Sequence, residues 1–239
     1  MNQFEKIDLD GSHFVGYRVP ANGTPIGLGS PQSTAESGDR AWRMFDLVLA
    51  TMALIAVFPL MIVIAVLVYL SDRGPIFYAQ RRIGKDGKSF YCFKFRSMVT
   101  NADARLRELL ERDPQARAAW DLDHKLKNDP RITPIGGFLR KSSLDELPQL
   151  FNVLMGDMSL VGPRPIVEAE VIRYGRYFHS YCSVRPGITG LWQVNGRNNV
   201  SYRRRVAFDV IYARNNSLVL NVKILFATVP AILLSRGSY

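Results

Sequence analysis

The sequence contains little cysteine and little histidine. Its 239 residues include two cysteines, Cys92 and Cys182, and three histidines. Two cysteines are too few for the disulfide framework of a small secreted domain, and neither belongs to a CxxC or Cys/His spacing that would hold a metal. The histidines are scattered without ligand spacing. These shortages exclude a disulfide scaffold, disfavour a zinc site and fit a reducing compartment.

Acidic residues are also in short supply. Aspartate and glutamate number 21 against 31 lysines and arginines, so the formal net charge is +10. Such an excess predicts a polyanionic partner or surface, which could be nucleic acid, phospholipid headgroups or a nucleotide substrate. The 47% of hydrophobic residues is ample for a folded core. Composition alone does not choose among the three partners.

The first 39 residues lack any sustained apolar periodicity. They are rich in Gly, Ser, Pro and Thr, and we predict a disordered N-terminal tail over 1–39. A signal peptide is disfavoured because the cationic start is missing, the apolar run begins late and no small-residue cleavage pattern follows it.

Residues 47–70 form a run of 24 residues without a charge. A helix needs about 20 apolar residues to cross the hydrocarbon core, so this run predicts membrane association. Pro59 lies near its middle, removes a backbone donor and predicts a kink. Basic residues flank the run on both sides: Arg40, Arg43, Arg73, Arg81, Arg82, Lys85 and Lys88. The positive-inside rule then favours a re-entrant hairpin over 40–73, while a tilted transmembrane span remains open.

After the membrane segment, residues 75–98 alternate apolar and polar side chains around a central turn. This pattern predicts a strand–loop–strand hairpin that ends in Phe93-Lys-Phe-Arg96, with Lys94 and Arg96 on one face. That face is either solvated or directed at phosphate. A helix is predicted over 101–120, with Asn101 as N-cap and an interruption at Pro114.

The turn-rich segment 128–137 is predicted to be a loop. It leads into the stretch 140–165, where the adjacent carboxylates Asp145 and Glu146 lie between basic residues. An acidic pair can bind a metal or supply a nucleophile, and Arg140 and Arg164 can neutralise phosphate, which together are the parts of phosphoryl transfer.

A structural alternative for this acidic pair is a capping box. Ser143 and Glu146 have the spacing in which both side chains satisfy backbone donors of a helix start. Two prolines stiffen the backbone around Arg164, which suits phosphate recognition or an Arg–carboxylate pair. Arg185 begins a Gly-rich segment that could cradle a nucleotide, although such a loop is weak evidence by itself.

Taken together, these motifs resemble the bacterial sugar transferase family, whose members are monotopic phosphoglycosyl transferases that start exopolysaccharide and glycan assembly. The resemblance covers about residues 40–235. It rests on the ordered series Lys94-Phe-Arg96, Asn128-Asp-Pro-Arg131, Leu144-Asp-Glu-Leu-Pro-Gln149, Gly156-Asp-Met-Ser-Leu-Val-Gly-Pro-Arg-Pro165 and Arg185-Pro-Gly-Ile-Thr-Gly190.

The resemblance implies transfer of a sugar 1-phosphate from a UDP-sugar to a polyprenyl (undecaprenyl) phosphate, with Mg²⁺ and with release of UMP. Asp145 would be the nucleophile that forms a covalent phosphosugar intermediate, with Glu146 as its acidic partner, and both would lie at the metal. The residues expected to hold substrate phosphates are Lys94, Arg96, Arg140, Arg164 and Arg185.

The resemblance also implies a re-entrant membrane helix broken at Pro59, with the catalytic domain on the cytoplasmic face of the bacterial inner membrane. Two positions depart from the family pattern: Phe58 stands where a serine often precedes the proline, and Asn221 stands where an acidic residue is common. The apolar run 222–234 is short for a span and is expected to form an interfacial helix.

The expected fold is therefore mixed α/β and mostly helical: a tail over 1–39, a re-entrant helix over 40–73 and a catalytic domain over 74–239. The expected partners are a UDP-sugar, polyprenyl phosphate and membrane lipids, without nucleic acid. Two alternatives remain: a non-catalytic membrane-anchored scaffold, and a membrane-tethered nucleic-acid-binding protein. The sequence leaves open the sugar, which could be galactose, glucose or an N-acetylated sugar, and the oligomeric state, homo-oligomers included.

Overall fold

A computed structural model describes the backbone of residues 34–123, 126, 129–195 and 200–233. Side chains are described for 41–118, 120–121, 126, 129–195 and 200–231. Most of the predicted tail, residues 1–33, lies outside the described residues, as do Asn128 and residues 196–199 of the Gly-rich segment. The long N-terminal helix begins at Thr34, inside the range predicted to be a tail.

The described chain is mostly helical, as predicted, and contains two small sheets. The helices are α1 (Thr34–Asp72), α2 (Ala102–Arg112), α3 (Pro114–Asp123), α4 (Pro134–Ser142), α5 (Gln149–Met155), α6 (Val171–Tyr174), α7 (Phe178–Cys182), α8 (Leu191–Val194), α9 (Tyr202–Asn215) and α10 (Leu218–Leu233). The strands are β1 (Phe77–Ile83), β2 (Ser89–Phe95), β3 (Ser159–Val161) and β4 (Gly187–Thr189).

Helix α1 is long and apolar enough to cross a membrane. It continues through Pro59 as one helix. Its buried side chains recur every three or four residues in each half of the helix. In the middle, Leu54 and Val57 pack against the rest of the protein but are only partly buried. All of these side chains therefore lie on one face. The buried residues are Trp42, Asp46, Ala50, Met61, Ile64 and Val68. The other face exposes large apolar side chains, such as Ile55 and Leu70.

Both ends of α1 are bonded to the rest of the protein. Near the N-terminal end, Trp42 Nε1 donates to Ser159 Oγ at 3.0 Å, and Asp46 Oδ1 accepts from the backbone N–H of Leu160 at 3.0 Å. At the C-terminal end, Asp72 Oδ2 accepts from the backbone N–H of Thr100 at 2.6 Å. The helix therefore contacts residues that follow it in the chain at both of its ends.

Strands β1 and β2 form the predicted antiparallel hairpin. Arg82 pairs with Phe90 and Tyr78 pairs with Lys94, so these four residues lie on the same face of the hairpin. The turn contains Asp86 at φ 58°, a left-handed conformation that Asp tolerates better than most residues. The predicted hairpin is confirmed, and it places Arg82 and Lys94 on the same face, with the Gln80–Cys92 pair between them.

The helix predicted over 101–120 is two helices that meet at Asp113. Asn101 occupies the N-cap position of α2, but its side chain makes no capping hydrogen bond. Asp113 Oδ1 instead accepts from the backbone N–H groups of Gln115 and Ala116 at the start of α3. Pro114 at the first position of α3 needs no hydrogen-bond partner, which explains the break.

The loop predicted over 128–137 is wrong at its end, because α4 begins at Pro134. Thr133 caps this helix by accepting from the backbone N–H of Gly136 at 3.0 Å. A Cβ at Gly136 would lie 2.0 Å from the carbonyl oxygen of Ser97. Glycine thus lets the first turn of α4 pack directly on the chain that leaves β2.

Strands β3 and β4 are parallel, helix α10 packs against both of them, and helix α8 packs against α10. Asn221 of α10 is fully buried, with its Oδ1 2.8 Å from Tyr212 Oη and its Nδ2 donating to Asn216 Oδ1 at 3.1 Å. The neutral amide satisfies these neighbours without a buried charge. Helix α10 begins at Leu218, earlier than the run expected to be interfacial, and exposes Phe226.

Candidate active site

The acidic pair lies in the connection between α4 and α5. Ser143 ends α4 in the left-handed conformation at φ 59°, Leu144–Glu146 forms a single 3₁₀ turn, and α5 begins at Gln149. The predicted capping box is wrong, because the Ser143 side chain makes no capping hydrogen bond. A capping serine needs an extended backbone, and Ser143 does not have one. Glu146 is therefore not committed to a helix start.

The Glu146 side chain binds Lys94 instead. Lys94 Nζ lies 2.5 Å from Glu146 Oε1 and 3.8 Å from Asp145 Oδ2. Arg164 Nη1 lies 3.8 Å from the same Glu146 oxygen. The structure thus brings together Asp145, Glu146, Lys94 and Arg164, which are far apart in the sequence, and places two cations beside two carboxylates.

The environment separates the two carboxylates chemically. Burial acts to raise the pKa of Glu146, but Lys94 and Arg164 outweigh it and hold that pKa below its usual range. Burial is the dominant influence on Asp145 and raises its pKa, with Lys94 only partly opposing it. The Asp145 side chain is 11% exposed and accepts no hydrogen bond from the described residues.

This difference assigns different chemistry to the two residues. Glu146 is a stable anion that fixes Lys94. Asp145 is a poorly solvated carboxylate without a hydrogen-bond donor among the described residues, so its oxygens are more basic and more available for attack. The arrangement suits a nucleophile next to a structural ion pair.

A cavity opens beside Glu146, between the β1–β2 hairpin and the loop that carries Arg164. The residues that line it are Arg82, Cys92, Lys94, Glu146, Gln149, Arg164, Pro165, Gly187, Ile188 and Gln193. Sequence reasoning missed Arg82 as a site residue. The predicted hairpin could have identified it, since pairing across the turn places Arg82 on the face that carries Lys94.

Three other predicted phosphate ligands occupy different positions. Arg140 lies close enough to Asp145 to lower its pKa, and its Nε donates to Ser97 Oγ at 2.8 Å. Arg96 lies past the end of β2 and contacts the C-terminal end of α1, with Nη2 3.5 Å from the Val68 carbonyl oxygen. Arg185 Nε donates to the Gly156 carbonyl at 3.2 Å.

The structure therefore keeps Arg140 near the acidic pair but does not bring Arg96 or Arg185 to it. Arg96 instead contacts the C-terminal end of α1, where its positive charge interacts favourably with the helix dipole. Arg185 lines a second cavity together with Trp42 and Asp46 of α1. The prediction that Arg96 and Arg185 hold substrate phosphates gains no support from this arrangement.

The donor set suits a hard cation only in part. Asp145 and Glu146 offer carboxylate oxygens, and Mg²⁺ is commonly held by one or two carboxylates, with substrate phosphate and water completing its shell. Within the described residues, no group of three or more Asp, Glu, His or Cys side chains could form a complete site. The two carboxylates could supply part of the ligand shell of Mg²⁺, and magnesium remains a prediction.

Comparison with known proteins identifies relatives along most of the chain. The family model for bacterial sugar transferases matches residues 38–235. The exopolysaccharide production protein ExoY of Rhizobium meliloti (strain 1021) is 51% identical over 202 residues, which is 84% of this chain and 89% of that protein. The undecaprenyl-phosphate galactose phosphotransferase of Salmonella typhimurium is 55% identical over 197 residues, 82% of this chain and 41% of that protein.

A third relative is named for a different sugar. The UDP-glucose:undecaprenyl-phosphate glucose-1-phosphate transferase of Xanthomonas campestris pv. campestris is 41% identical over 202 residues, 81% of this chain and 39% of that protein. These matches cover the hairpin, the acidic pair and the Arg164 loop that form the site. The chain therefore belongs to the bacterial sugar transferase family and is a phosphoglycosyl transferase.

Proposed function

We propose that this enzyme transfers a sugar 1-phosphate from a UDP-sugar to polyprenyl phosphate and releases UMP, as the first membrane step of exopolysaccharide biosynthesis. The names of the relatives support the substrate classes, since two of them name undecaprenyl phosphate and one names UDP-glucose. They also show that the family includes both galactose and glucose enzymes, so the sugar stays open.

The observation that carries the mechanism is the environment of Asp145. Its carboxylate oxygen attacks the sugar-linked phosphorus, the bond to the bridging oxygen of the diphosphate breaks, and UMP leaves with that oxygen. A phosphate oxygen of the polyprenyl phosphate then attacks the same phosphorus. The acyl–phosphate bond breaks, Asp145 is regenerated as a carboxylate, and the product is a polyprenyl diphosphate sugar. Poor solvation and the absence of a hydrogen-bond donor support this role.

The neighbouring residues would handle the charges. Glu146 holds Lys94 3.8 Å from Asp145, where the ammonium can attract a phosphate oxygen during attack. Arg164 is partly exposed beside Glu146, with a guanidinium suited to bidentate phosphate binding. Mg²⁺, held by the two carboxylates and the diphosphate, would reduce the repulsion between an anionic nucleophile and an anionic substrate.

We also propose that α1 does not cross the bilayer and that the catalytic domain lies on the cytoplasmic face. A straight helix as long as the segment from Trp42 to Asp72 would measure about 45 Å, more than the roughly 30 Å of hydrocarbon. Both ends of this segment are bonded to the same charged domain. A spanning helix would carry one end to the opposite side, away from that domain. The exposed apolar face of α1 would then lie in one leaflet.

The nucleophile can be tested by measuring UMP release from a panel of UDP-sugars with polyprenyl phosphate. We expect Asp145→Asn to lower the rate by a factor on the order of 10³ or more. Asp103→Asn, which changes an exposed carboxylate of α2, serves as the matched control. With UDP-sugar alone, the wild-type protein should gain the mass of one phosphosugar on Asp145. Equal rates in the wild type and Asp145→Asn would refute the assignment.

The topology can be tested by cysteine labelling in intact cells. Ala41 and Ser71 are exposed positions near the two ends of the apolar segment, whereas a side chain at Gly74 would clash with Arg96. We expect an impermeant maleimide to label Ala41→Cys and Ser71→Cys only after permeabilisation. The native thiols, Cys92 and Cys182, are buried and provide the background measurement. Labelling of either end from outside would refute the non-spanning arrangement.

A further inference from the structure

We propose that Arg82 is a positioning residue that holds the backbone after Arg164, so that the Arg164 guanidinium faces Glu146. The proposal rests on the proposed function, because the position of Arg164 matters only if Arg164 binds substrate phosphate. Arg82 lines the same cavity as Lys94, Glu146 and Arg164. Like-charged groups repel, so Arg82 cannot act on Arg164 by direct attraction. It acts through the loop that carries Arg164.

Strand geometry directs Arg82 toward this loop. Successive side chains of a strand point to opposite faces, so Arg82 shares a face with Gln80 and, across the hairpin, with Cys92. Arg81 pairs with Tyr91 on the other face and is exposed. The chain thus carries two adjacent arginines with opposite orientations, and only Arg82 reaches the cavity.

The Arg82 guanidinium uses both of its terminal nitrogens. Nη1 donates to the Pro165 carbonyl at 3.0 Å, and Nη2 donates to Gln80 Oε1 at 2.6 Å. Glu170 Oε2 lies 3.8 Å from Nη1 and balances the charge. A planar guanidinium can make these contacts together, whereas a lysine ammonium on a flexible stem would not reproduce the fork. Arg82 therefore joins β1 to the residue directly after Arg164.

The next residues of the loop are fixed by the same end of β1. The Ile83 backbone N–H donates to the Ile166 carbonyl at 2.9 Å. Tyr181 Oη accepts from the Ile166 N–H at 3.2 Å and donates to the Ile83 carbonyl at 2.6 Å. Glu170 Oε2 accepts from the Val167 N–H at 3.0 Å. The contact of Arg82 with Pro165 is the first in this series of bonds along the loop, and it lies closest to the site.

The Arg164 side chain needs this support because its own contact with Glu146 is weak, although the backbone just before it is bonded to β4. Its side chain is 42% exposed and lies 3.8 Å from Glu146 Oε1, a distance at which the ion pair alone is weak. The prolines on either side restrict rotation within the loop but do not fix the loop relative to the hairpin that carries Lys94. The Ile83–Ile166 bond connects the loop to the hairpin two residues after Arg164, and the bond from Arg82 to Pro165 makes the connection at the residue next to Arg164.

A double-mutant cycle tests the proposal. We expect Arg82→Gln to lower the kcat for UMP release by about 10- to 100-fold, because a small misplacement of Arg164 is costly. In the Arg164→Gln background the same change should have almost no further effect. Arg81→Gln, on the opposite face, should stay within about twofold of wild type. Losses that multiply in the double variant would overturn the proposal, since Arg82 would then act independently of Arg164.

Arg82→Lys separates geometry from charge. It keeps a cation opposite Glu170, which protects the fold, but loses the forked contact with Pro165 and Gln80. We expect it to recover less than a tenth of the kcat lost in Arg82→Gln. Full recovery would show that charge alone is required and would overturn a positioning role.

Hydrogen exchange provides a test that does not depend on catalysis. The backbone amides of Ile166 and Val167 are hydrogen-bonded in the native loop, so they should exchange slowly in wild type and in Arg81→Gln. We expect faster exchange of peptides covering 162–170 in Arg82→Gln. Unchanged exchange would overturn the proposal. If the wild type released no UMP from any UDP-sugar, the proposed function would fail while this measurement still tested the role of Arg82.

Discussion

Replacing Lys94 by methionine should reveal how far the two carboxylates depend on one ammonium group. Lys94 contacts Glu146 Oε1 at 2.5 Å and lies 3.8 Å from Asp145 Oδ2. The lysine and glutamate side chains are each 20% exposed, so solvent screens the pair only in part. Methionine preserves most of the side-chain length and removes the charge. Two adjacent, mostly buried carboxylates would then lie together, with Arg164 near Glu146 and Arg140 near Asp145 as remaining cations.

The expected loss of stability follows from these distances. At an effective dielectric constant of about 20, unit charges at 2.5 Å and 3.8 Å attract by about 7 and 4 kcal/mol, respectively. Desolvation of the three groups offsets much of this attraction. Removing one partner of a buried pair typically costs about 3–5 kcal/mol, and we expect Lys94→Met to lower the free energy of unfolding by an amount near the lower end.

The loss should depend on pH. In the wild type the pKa of Glu146 lies below its usual range, so Glu146 stabilises the fold above that range, and this contribution disappears as pH falls through its folded pKa. Without Lys94, burial raises the pKa of both carboxylates, and acid then relieves the variant by protonating them. The difference between wild type and Lys94→Met should therefore be largest at neutral pH and shrink on acidification. The acidic limb of the rate profile should move to higher pH.

Thermal unfolding in detergent and UMP release together provide the assay. Lys88→Met, an exposed lysine at the hairpin turn, is the matched control and should leave both measurements unchanged. Adding Glu146→Gln to Lys94→Met should restore part of the stability, because the Glu146 charge that lost Lys94 is removed, without restoring activity. A double variant no more stable than Lys94→Met, or a loss independent of pH, would refute this reasoning.

Three further predictions concern positions away from the acidic pair. Gly136→Ala should destabilise the protein by about 1–3 kcal/mol in thermal unfolding, because its Cβ would lie 2.0 Å from the Ser97 carbonyl, whereas Gly137→Ala should be tolerated, with its nearest neighbour at 3.9 Å. Burial raises the pKa of Asp209 to about 7, so its stabilisation is complete below its usual pKa and is lost as pH rises through 7; Asp209→Asn should remove this decline in unfolding temperature. Arg96→Met should lower stability by about 1–3 kcal/mol and leave the KM for the UDP-sugar unchanged.

Different outcomes would contradict each of these predictions. Equal stability of the Gly136→Ala and Gly137→Ala proteins would argue against the close approach of α4 to the chain after β2. Parallel pH curves for wild type and Asp209→Asn would mean that Asp209 does not exchange a proton near neutrality. A raised KM in Arg96→Met with unchanged stability would indicate that Arg96 binds the substrate and does not stabilise the end of α1.

The sequence predicted the β1–β2 hairpin well because its signals are local. Alternating side chains and a polar turn with Gly87 determine both the strands and their pairing. The same pairing rule places Arg82 on the face that carries Lys94. Alternation also predicts Arg96 on that face, which is wrong, because β2 ends at Phe95 and the arginine beyond the last pair turns toward α1.

The central stretch shows why spacing alone could not settle the role of Glu146. Ser143 and Glu146 have the separation of a capping box, but capping also requires an extended serine backbone. Ser143 ends α4 in a left-handed conformation, which depends on how α4 packs against its neighbours. The lysine that binds Glu146 is 52 residues away in the sequence. Such long-range contacts carry no local signal.

The start of α4 was missed for a related reason. Gly136 and Gly137 in sequence favour a turn, because glycine weakens a helix by about 1 kcal/mol relative to alanine. The contact with Ser97 explains why alanine is not used at the first of these positions. A tertiary contact therefore overrides the local preference, and only the packed structure reveals it.

The packing of α1 has a consequence for how the enzyme matures. Helix α1 contributes buried side chains to three hydrophobic clusters: Trp42 to one, Ala50 to a second, and Met61, Ile64 and Val68 to a third. The other buried members of these clusters all come from residues after position 74. A chain synthesised without α1 would leave these clusters open, so we expect residues 74–239 alone to aggregate rather than fold. Because the outer face of α1 is also apolar, we expect stable folding to require lipid or detergent. We therefore expect assembly of the site to accompany membrane insertion, so that newly made enzyme gains activity where the proposed lipid acceptor lies.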